Sequence, residues 1–276
     1  METPEDLLKQ LGAVGEVADD DLPLAETALN LAALDHREID LTPYREHLTK
    51  LTEDARPSLA MLRRGMSEIE ALARVLSDTI AVRHGYAGDT LTFDDPQNAD
   101  LIRVIDRRRG LPVSLGILYL EVAKRLGGTA KGLNTPGHFL LAIGEDERAK
   151  VLDPFNAGVV LSREELRPLP PVPQGEVAEY GPVSARDVLL RLLNNIRTRA
   201  LAGKDMLRAL TMVERMVLIA PRRAELWLDL ANANRETGRL KGAFRAAECC
   251  LQLAGDKSSV GREAAFTLQS LKRMVN

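Results

Sequence analysis

Leu111-Pro-Val-Ser-Leu-Gly-Ile-Leu-Tyr-Leu-Glu-Val-Ala-Lys-Arg-Leu126 is the stretch that decides the fold. Leu115, Ile117, Leu118, Tyr119, Leu120, Val122 and Ala123 leave almost no polar side, and a helix apolar all round belongs at the centre of a domain. Pro112 suits its first turn and Gly127-Gly128 its end. Beyond it the period shifts towards strands, at Phe139–Ile143 and at Val151-Leu152 before Asp153-Pro154. Ser162 with Glu165 reads as the cap of a short helix.

On the N-terminal side, residues 20–88 read as helices. Asp21 before Leu22 and Pro23 is a start signal, followed by Leu24, Ala28, Leu31 and Leu34 at helical spacing. A second helix is expected from about Thr42 to Glu53, with Pro57 interrupting the chain beyond it. A third starts at Ser67 with Glu70 three residues on and runs to about Arg83, ended by Gly85-Tyr-Ala-Gly88.

On the C-terminal side, residues 167–183 hold Pro168, Pro170, Pro171, Pro173 and Pro182, which reads as a linker. After Ser184 the pattern is helical and repeats: Leu193 and Trp227, Ala209 and Ala243, Pro221 and Gly255 are each 34 residues apart. Trp227, Leu230, Ala231, Gly238, Ala243 and Cys250 resemble the packing positions of a tetratricopeptide repeat, with Asn234 where a large tyrosine is usual. Such hairpins need a neighbour to bury their faces, and a last helix near 258–274 would cap the stack. The expected division is an N-terminal helical region (1–66), an α+β core (67–166), a Pro-rich linker (167–184) and helical repeats (185–276).

Composition excludes several classes. The chain has 276 residues, 45% hydrophobic and 28% charged, enough for a real core. A formal net charge of −3 and 4% aromatics give no support to nucleic-acid binding. No uncharged apolar run reaches about 18 residues, so no membrane span is expected. Met1–Asp6 is acidic and lacks the apolar run of a signal peptide. Cys249 and Cys250 are adjacent, which suits helix packing and a reducing cytoplasm better than a disulfide framework.

His138 and Asp153 are the first candidates for chemistry. With a turn centred on Glu145-Asp146, the two would stand directly opposite on a hairpin, where Cβ atoms are about 4.5–5.5 Å apart. A carboxylate there orients an imidazole and raises its basicity; the alternative is a hydrogen bond that merely fixes the hairpin. Arg103, Arg107, Arg108 and Arg109 form a basic cluster ahead of the buried helix, which with Asp106 is either a solvated or ion-pair face or a clamp for an anion or carboxylate. The four histidines lack metal-ligand spacing and no phosphate loop is present, so neither metal nor cofactor is expected.

Arg107-Arg-Arg-Gly-Leu-Pro-Val-Ser-Leu-Gly-Ile-Leu-Tyr-Leu-Glu121, Arg125-Leu-Gly127, Pro136-Gly-His-Phe-Leu140 and Leu152-Asp-Pro-Phe-Asn156, in this order and spacing, resemble the SirB-type branch of the transglutaminase-like superfamily. The repeat region from about Leu189 is similar to that branch's C-terminus. The resemblance implies a papain-like α+β core. Its catalytic members carry a Cys at the start of the buried helix, with a His and an Asp following on adjacent strands. His138 and Asp153 match the second and third. The Cys follows a Gly by two positions, and Gly110 places that slot at Pro112, which has no nucleophile. Ser114, two residues further, is about 200° around the helix from the slot.

These readings lead to a non-catalytic binding, scaffold or regulatory protein, with a residual His–Asp cleft and a protein or peptide partner on its helical repeats. The alternative is a hydrolase or acyltransferase using His138 as general base without a cysteine. A third reading is a repeat adaptor whose N-terminal part is only structural.

Overall fold

A computed structural model describes residues 2–36, 38–135, 138–145, 148–162, 165 and 181–275. In chain order it contains α1 (Pro4–Val14), α2 (Leu24–Ala33), α3 (Thr42–Leu62) and α4 (Glu68–Leu76), the last continuing as a π-helix over Ser77–Arg83. Then come β1 (Ala87–Gly88), a 3-10 turn at Pro96–Ala99, α5 (Leu101–Arg107), β2 (Arg109–Gly110) and α6 (Pro112–Arg125). The strands β3 (Ala130–Thr135), β4 (His138–Ile143), β5 (Lys150–Asp153), β6 (Val159–Leu161) and β7 (Pro182–Val183) come next. The chain ends in α7 (Ala185–Ala202), α8 (Met206–Ile219), α9 (Ala224–Glu236), α10 (Leu240–Ala254) and α11 (Ser259–Val275).

The apolar stretch is α6, and every residue from Pro112 to Leu120 is buried, with Val122 and Ala123. It lies on an antiparallel sheet ordered β6-β5-β4-β3-β7. The approach is close because position 116 has no side chain: a Cβ there would stand 2.5 Å from the ring of Phe139, itself buried. Helices α2, α3, α4 and α5 cover the rest of α6. Ser67 caps α4, accepting from the Glu70 N–H while its hydroxyl donates to the Glu70 carboxylate.

By packing the chain forms two compact units rather than four parts. One contains Met1–Leu7 and Ala18–Leu189; the other contains Leu8–Val17 and Leu190–Asn276. No boundary falls at residue 66, because α2 and α3 pack directly on α5 and α6. The expected linker and short helix fall mostly on 163–164 and 166–180, outside the described residues. The box that would cap that helix is present, with the Ser162 N–H donating to Glu165 and the Glu165 N–H to Ser162.

Two helix boundaries and one turn differ from expectation. Pro57 lies inside α3 rather than interrupting it. It is exposed, so the carbonyl it deprives of a partner can be solvated. Pro23, not Asp21, is the residue preceding α2. Ala87-Gly88, read as a helix end, also pairs in parallel with Arg109-Gly110.

In the second unit α9 packs on α8 and α10, and α11 on α10. Gly238, with φ +75°, makes the α9–α10 turn. Trp227 is half-buried against Leu228, Cys250 and Ala264, and its indole N–H donates to Pro221 O at 2.7 Å. Residues 8–17 join this unit: a Cβ on Gly15 would meet Leu218 O at 2.8 Å, and Glu16 pairs with Arg222 at 2.7 Å.

Candidate functional site

Asp153 ends β5, and Pro154 cannot donate to a continuing ladder, so the chain turns. The Asp153 carboxylate organises that turn. Its Oδ1 accepts the backbone N–H of Phe155 at 3.0 Å and of Asn156 at 3.2 Å. Its Oδ2 accepts Asn156 Nδ2 at 2.6 Å and lies 2.9 Å from His138 Nε2. The Gly158 N–H closes the loop onto Asp153 O at 2.8 Å. The carboxylate is only 5% exposed. Burial alone would push its pKa up, but the hydrogen bonds from His138 and Asn156 outweigh burial and hold it below the ordinary value.

The imidazole reaches this carboxylate by a different register from the expected one. Leu141 pairs with Leu152 and Ile143 with Lys150, which centres the β4–β5 turn one residue later. Asp153 is therefore level with Leu140, two residues along β4 from His138. An even displacement keeps both side chains on one face, and a ring spans the diagonal. His138 is 26% exposed and stands edge-on to Phe155 at 6.2 Å, with Phe93 edge-on to Phe155 at 5.8 Å. Phe155 is seated on Gly88, where a Cβ would stand 2.4 Å from the ring.

Pro112, at the position where the resemblance implies a thiol, is the first residue of α6 and carries no polar side-chain group. The Ser114 hydroxyl is not turned towards a reaction. It is fully buried, 2.6 Å from Asn98 O and 3.0 Å from Leu111 O, so its single proton is committed to a backbone carbonyl.

The arginines engage separate partners rather than one anion. Arg107 bonds Asp89 at 3.0 Å and Asn98 at 3.2 Å. Arg108, in the left-handed region at φ +59°, donates to His47 at 2.7 Å and to Tyr86, and its guanidinium lies 4.7 Å from the Tyr86 ring centroid. Arg109 donates to Gly85 O at 2.9 Å. In place of a shared clamp, they tie the start of α6 to α3, the 85–89 segment and the turn before α5.

Two further features were missed from sequence. Tyr119 is fully buried with its hydroxyl unbonded beside Gly158, and burial raises its pKa. Asn156 stood out only as part of a motif, although Asp-Pro-x-Asn is a turn signal with a carboxylate at its head. A cavity of about 440 Å³ opens beside Asn156–Val160, against Ala73, Ser77 and Lys150; neither His138 nor Asp153 lines it. Among the described residues no three His, Cys, Asp or Glu side chains group as a metal site, and no helix is long and apolar enough to cross a membrane.

The model of the transglutaminase-like superfamily matches residues 42–194. A UPF0162 protein of Xylella fastidiosa is 31% identical over 255 residues, covering 90% of this chain and 89% of the relative. The chain belongs to the transglutaminase-like superfamily and to the UPF0162 family. The match to a UPF0162 protein of Vibrio cholerae is 33% over 142 residues, 51% of each chain. Human F-box only protein 21 is 29% identical over 137 residues, 46% of this chain and 21% of that protein.

Proposed function

We propose that this chain is a non-catalytic member of the SirB-type branch: a binding or scaffold protein whose α+β core keeps the His138–Asp153 pair and whose helical unit acts as tetratricopeptide-like repeats. In this reading the repeats dock a protein or peptide partner, and the protein works in the reducing cytoplasm, where Cys249 and Cys250 stay free thiols. The carrying observation is Pro112 at the first turn of α6, where catalytic relatives place their thiol. Acyl transfer needs a nucleophile within hydrogen-bond reach of the base, and the nearest hydroxyl along the helix, Ser114, is buried and committed. The repeat reading is supported by helical hairpins that place Ala209 and Ala243 on alternate helices, both buried.

The test is electrophile labelling of wild type and Pro112→Cys. Labelling at residue 112 that exceeds labelling at Cys249 and depends on His138 supports a site geometry that has lost only its nucleophile. A wild-type acyl-transfer activity abolished by alkylation would overturn the reading. A second reading, His138 as general base on water, is favoured by one observation: the imidazole is exposed enough to meet solvent while its carboxylate is buried. An esterase or amidase activity that survives alkylation and is lost in His138→Ala would establish it.

A further inference from the structure

The near-neutral charge of the whole chain conceals a division. Residues 190–276 hold 16 Lys and Arg against 8 Asp and Glu, a net +8. Residues 1–189 hold 21 against 32, a net −11. Segment 8–17, which packs with the helical unit, adds Lys9 and Glu16, which cancel. Some cations are used internally: Arg197 pairs with Asp229 at 2.6 Å, Arg222 with Glu16 at 2.7 Å and Arg239 with Glu214 at 3.5 Å. If every acid of the unit were paired in this way, its excess of cations would still be +8.

Within 235–245 the sequence holds Arg235, Arg239, Lys241 and Arg245 against one acid, Glu236, and of these cations Arg239 pairs with Glu214. Lys241 and Arg245 are both exposed and stand one helical turn apart on α10, while Ala243, Ala246 and Ala247 of that helix are buried. We propose that this exposed side of α10, centred on Lys241 and Arg245, docks an acidic peptide segment of a partner protein. The inference rests on the docking role proposed above and names the chemistry of the partner. A cationic surface on a unit of net +8 concentrates carboxylates by long-range attraction and orients them by paired contacts.

A nucleic acid is the less favoured polyanion. Residues 190–276 offer three aromatic side chains, Trp227, Phe244 and Phe266, and the Trp227 indole N–H is committed to Pro221. Glu236 and Glu248 also interrupt the stripe of cations that tracking a phosphate backbone requires. Discrete carboxylates on a flexible peptide have no such need for continuity.

The test uses the full chain and three labelled probes in fluorescence anisotropy: a Glu-Ser peptide of about 15 residues, its Gln-for-Glu isostere and a short DNA duplex. The Glu peptide is expected to bind at least about tenfold more tightly than the isostere and to weaken about tenfold between roughly 50 and 300 mM salt. Lys241→Glu/Arg245→Glu should weaken it at least a further tenfold, whereas Lys272→Glu/Arg273→Glu should change it less than about threefold. Lys241→Gln/Arg245→Gln, with an unchanged thermal melt, separates lost charge from lost folding. Equal binding of the isostere, normal binding by the Lys241/Arg245 variants, or tighter binding of the duplex would overturn the proposal. Because the readout is binding, a His138-dependent activity would overturn the non-catalytic reading and leave this one standing. Binding of the isostere on the same face would overturn the acidic assignment and leave the docking role.

Discussion

Replacing Asp153 by Ala should cost far more stability than replacing His138 by Ala. The carboxylate accepts from four donors: two backbone N–H groups, the Asn156 amide and the His138 imidazole. A buried donor stripped of its acceptor costs about 1–3 kcal/mol, and such losses within one turn do not add fully. We expect about 3–5 kcal/mol for Asp153→Ala. Asp153→Asn should cost about half that, because one amide oxygen still serves the Phe155 and Asn156 N–H groups while its NH2 faces donors. His138→Ala removes one half-buried partner and should cost about 1 kcal/mol. Urea denaturation at pH 7, followed by circular dichroism, measures all three. If Asp153→Ala and His138→Ala cost the same, within about 0.5 kcal/mol, the carboxylate serves only the imidazole and our account of the turn is wrong. The pH dependence has a definite sign. Asp153 titrates below its ordinary value when folded, so its contribution is full above the unfolded carboxyl pKa of about 4. It is lost as pH falls through the folded value. Asp153→Asn should therefore lose less stability on acidification than wild type.

Three other perturbations test the surroundings. His47 is held neutral, its pKa brought down to about 4 by burial first and by Arg108 and His84 next. A lowered histidine stabilises fully above the unfolded pKa of about 6.5 and loses that contribution as pH falls towards 4. After discounting for solvent screening, His47→Gln should remove about 1–2 kcal/mol of the stability difference between pH 7 and 4; identical melting profiles across that range would contradict this. Gly88→Ala drives a methyl into the Phe155 ring at 2.4 Å and should destabilise by about 2–4 kcal/mol in thermal melts, a loss that Phe155→Leu partly relieves. Trp227→Ala should cost about 2–3 kcal/mol, less than for a fully buried indole, and a loss under about 1 kcal/mol would mean that its packing on Leu228 and Cys250 contributes little.

The buried helix and the strands at Phe139–Ile143 and Val151-Leu152 were legible because their periodicities are strong and their ends carry Pro112, Gly127 and Asp153-Pro154. β3 was not legible: Ala130-Lys-Gly-Leu-Asn-Thr135 has neither alternation nor a β-branched run, and the strand exists because β4 and β7 flank it. β1 and β2 are two residues each, too short for any pattern. The His138–Asp153 proximity was legible because a two-residue error in register preserves the face; a one-residue error would have destroyed it. The fate of the arginines was hidden because their partners, His47, Tyr86 and Asp89, are distant in sequence or lie in unpatterned segments. The charge division was present in the sequence and was obscured by averaging over both units.

A His–Asp contact is not by itself a sign of chemistry in this protein. Of the four histidines, three lie within 3 Å of an aspartate. His36 meets Asp100 at 2.6 Å, where the same carboxylate caps α5 by accepting the Arg103 N–H. His84 meets Asp54 at 2.8 Å, joining the end of the π-helix to α3. Both are closed contacts between elements, with His36 14% and His84 11% exposed. His138 differs in being more open, in standing beside the Phe155–Phe93 pair, and in matching the histidine that the family resemblance implies. The case for a residual site therefore rests on placement rather than on pairing. Asp153 would be needed to close the 153–158 turn whether or not any reaction took place, because the backbone N–H groups of Phe155 and Asn156 find their acceptor there. In the non-catalytic reading proposed above, the pair outlasts the thiol because its carboxylate also holds the 153–158 turn.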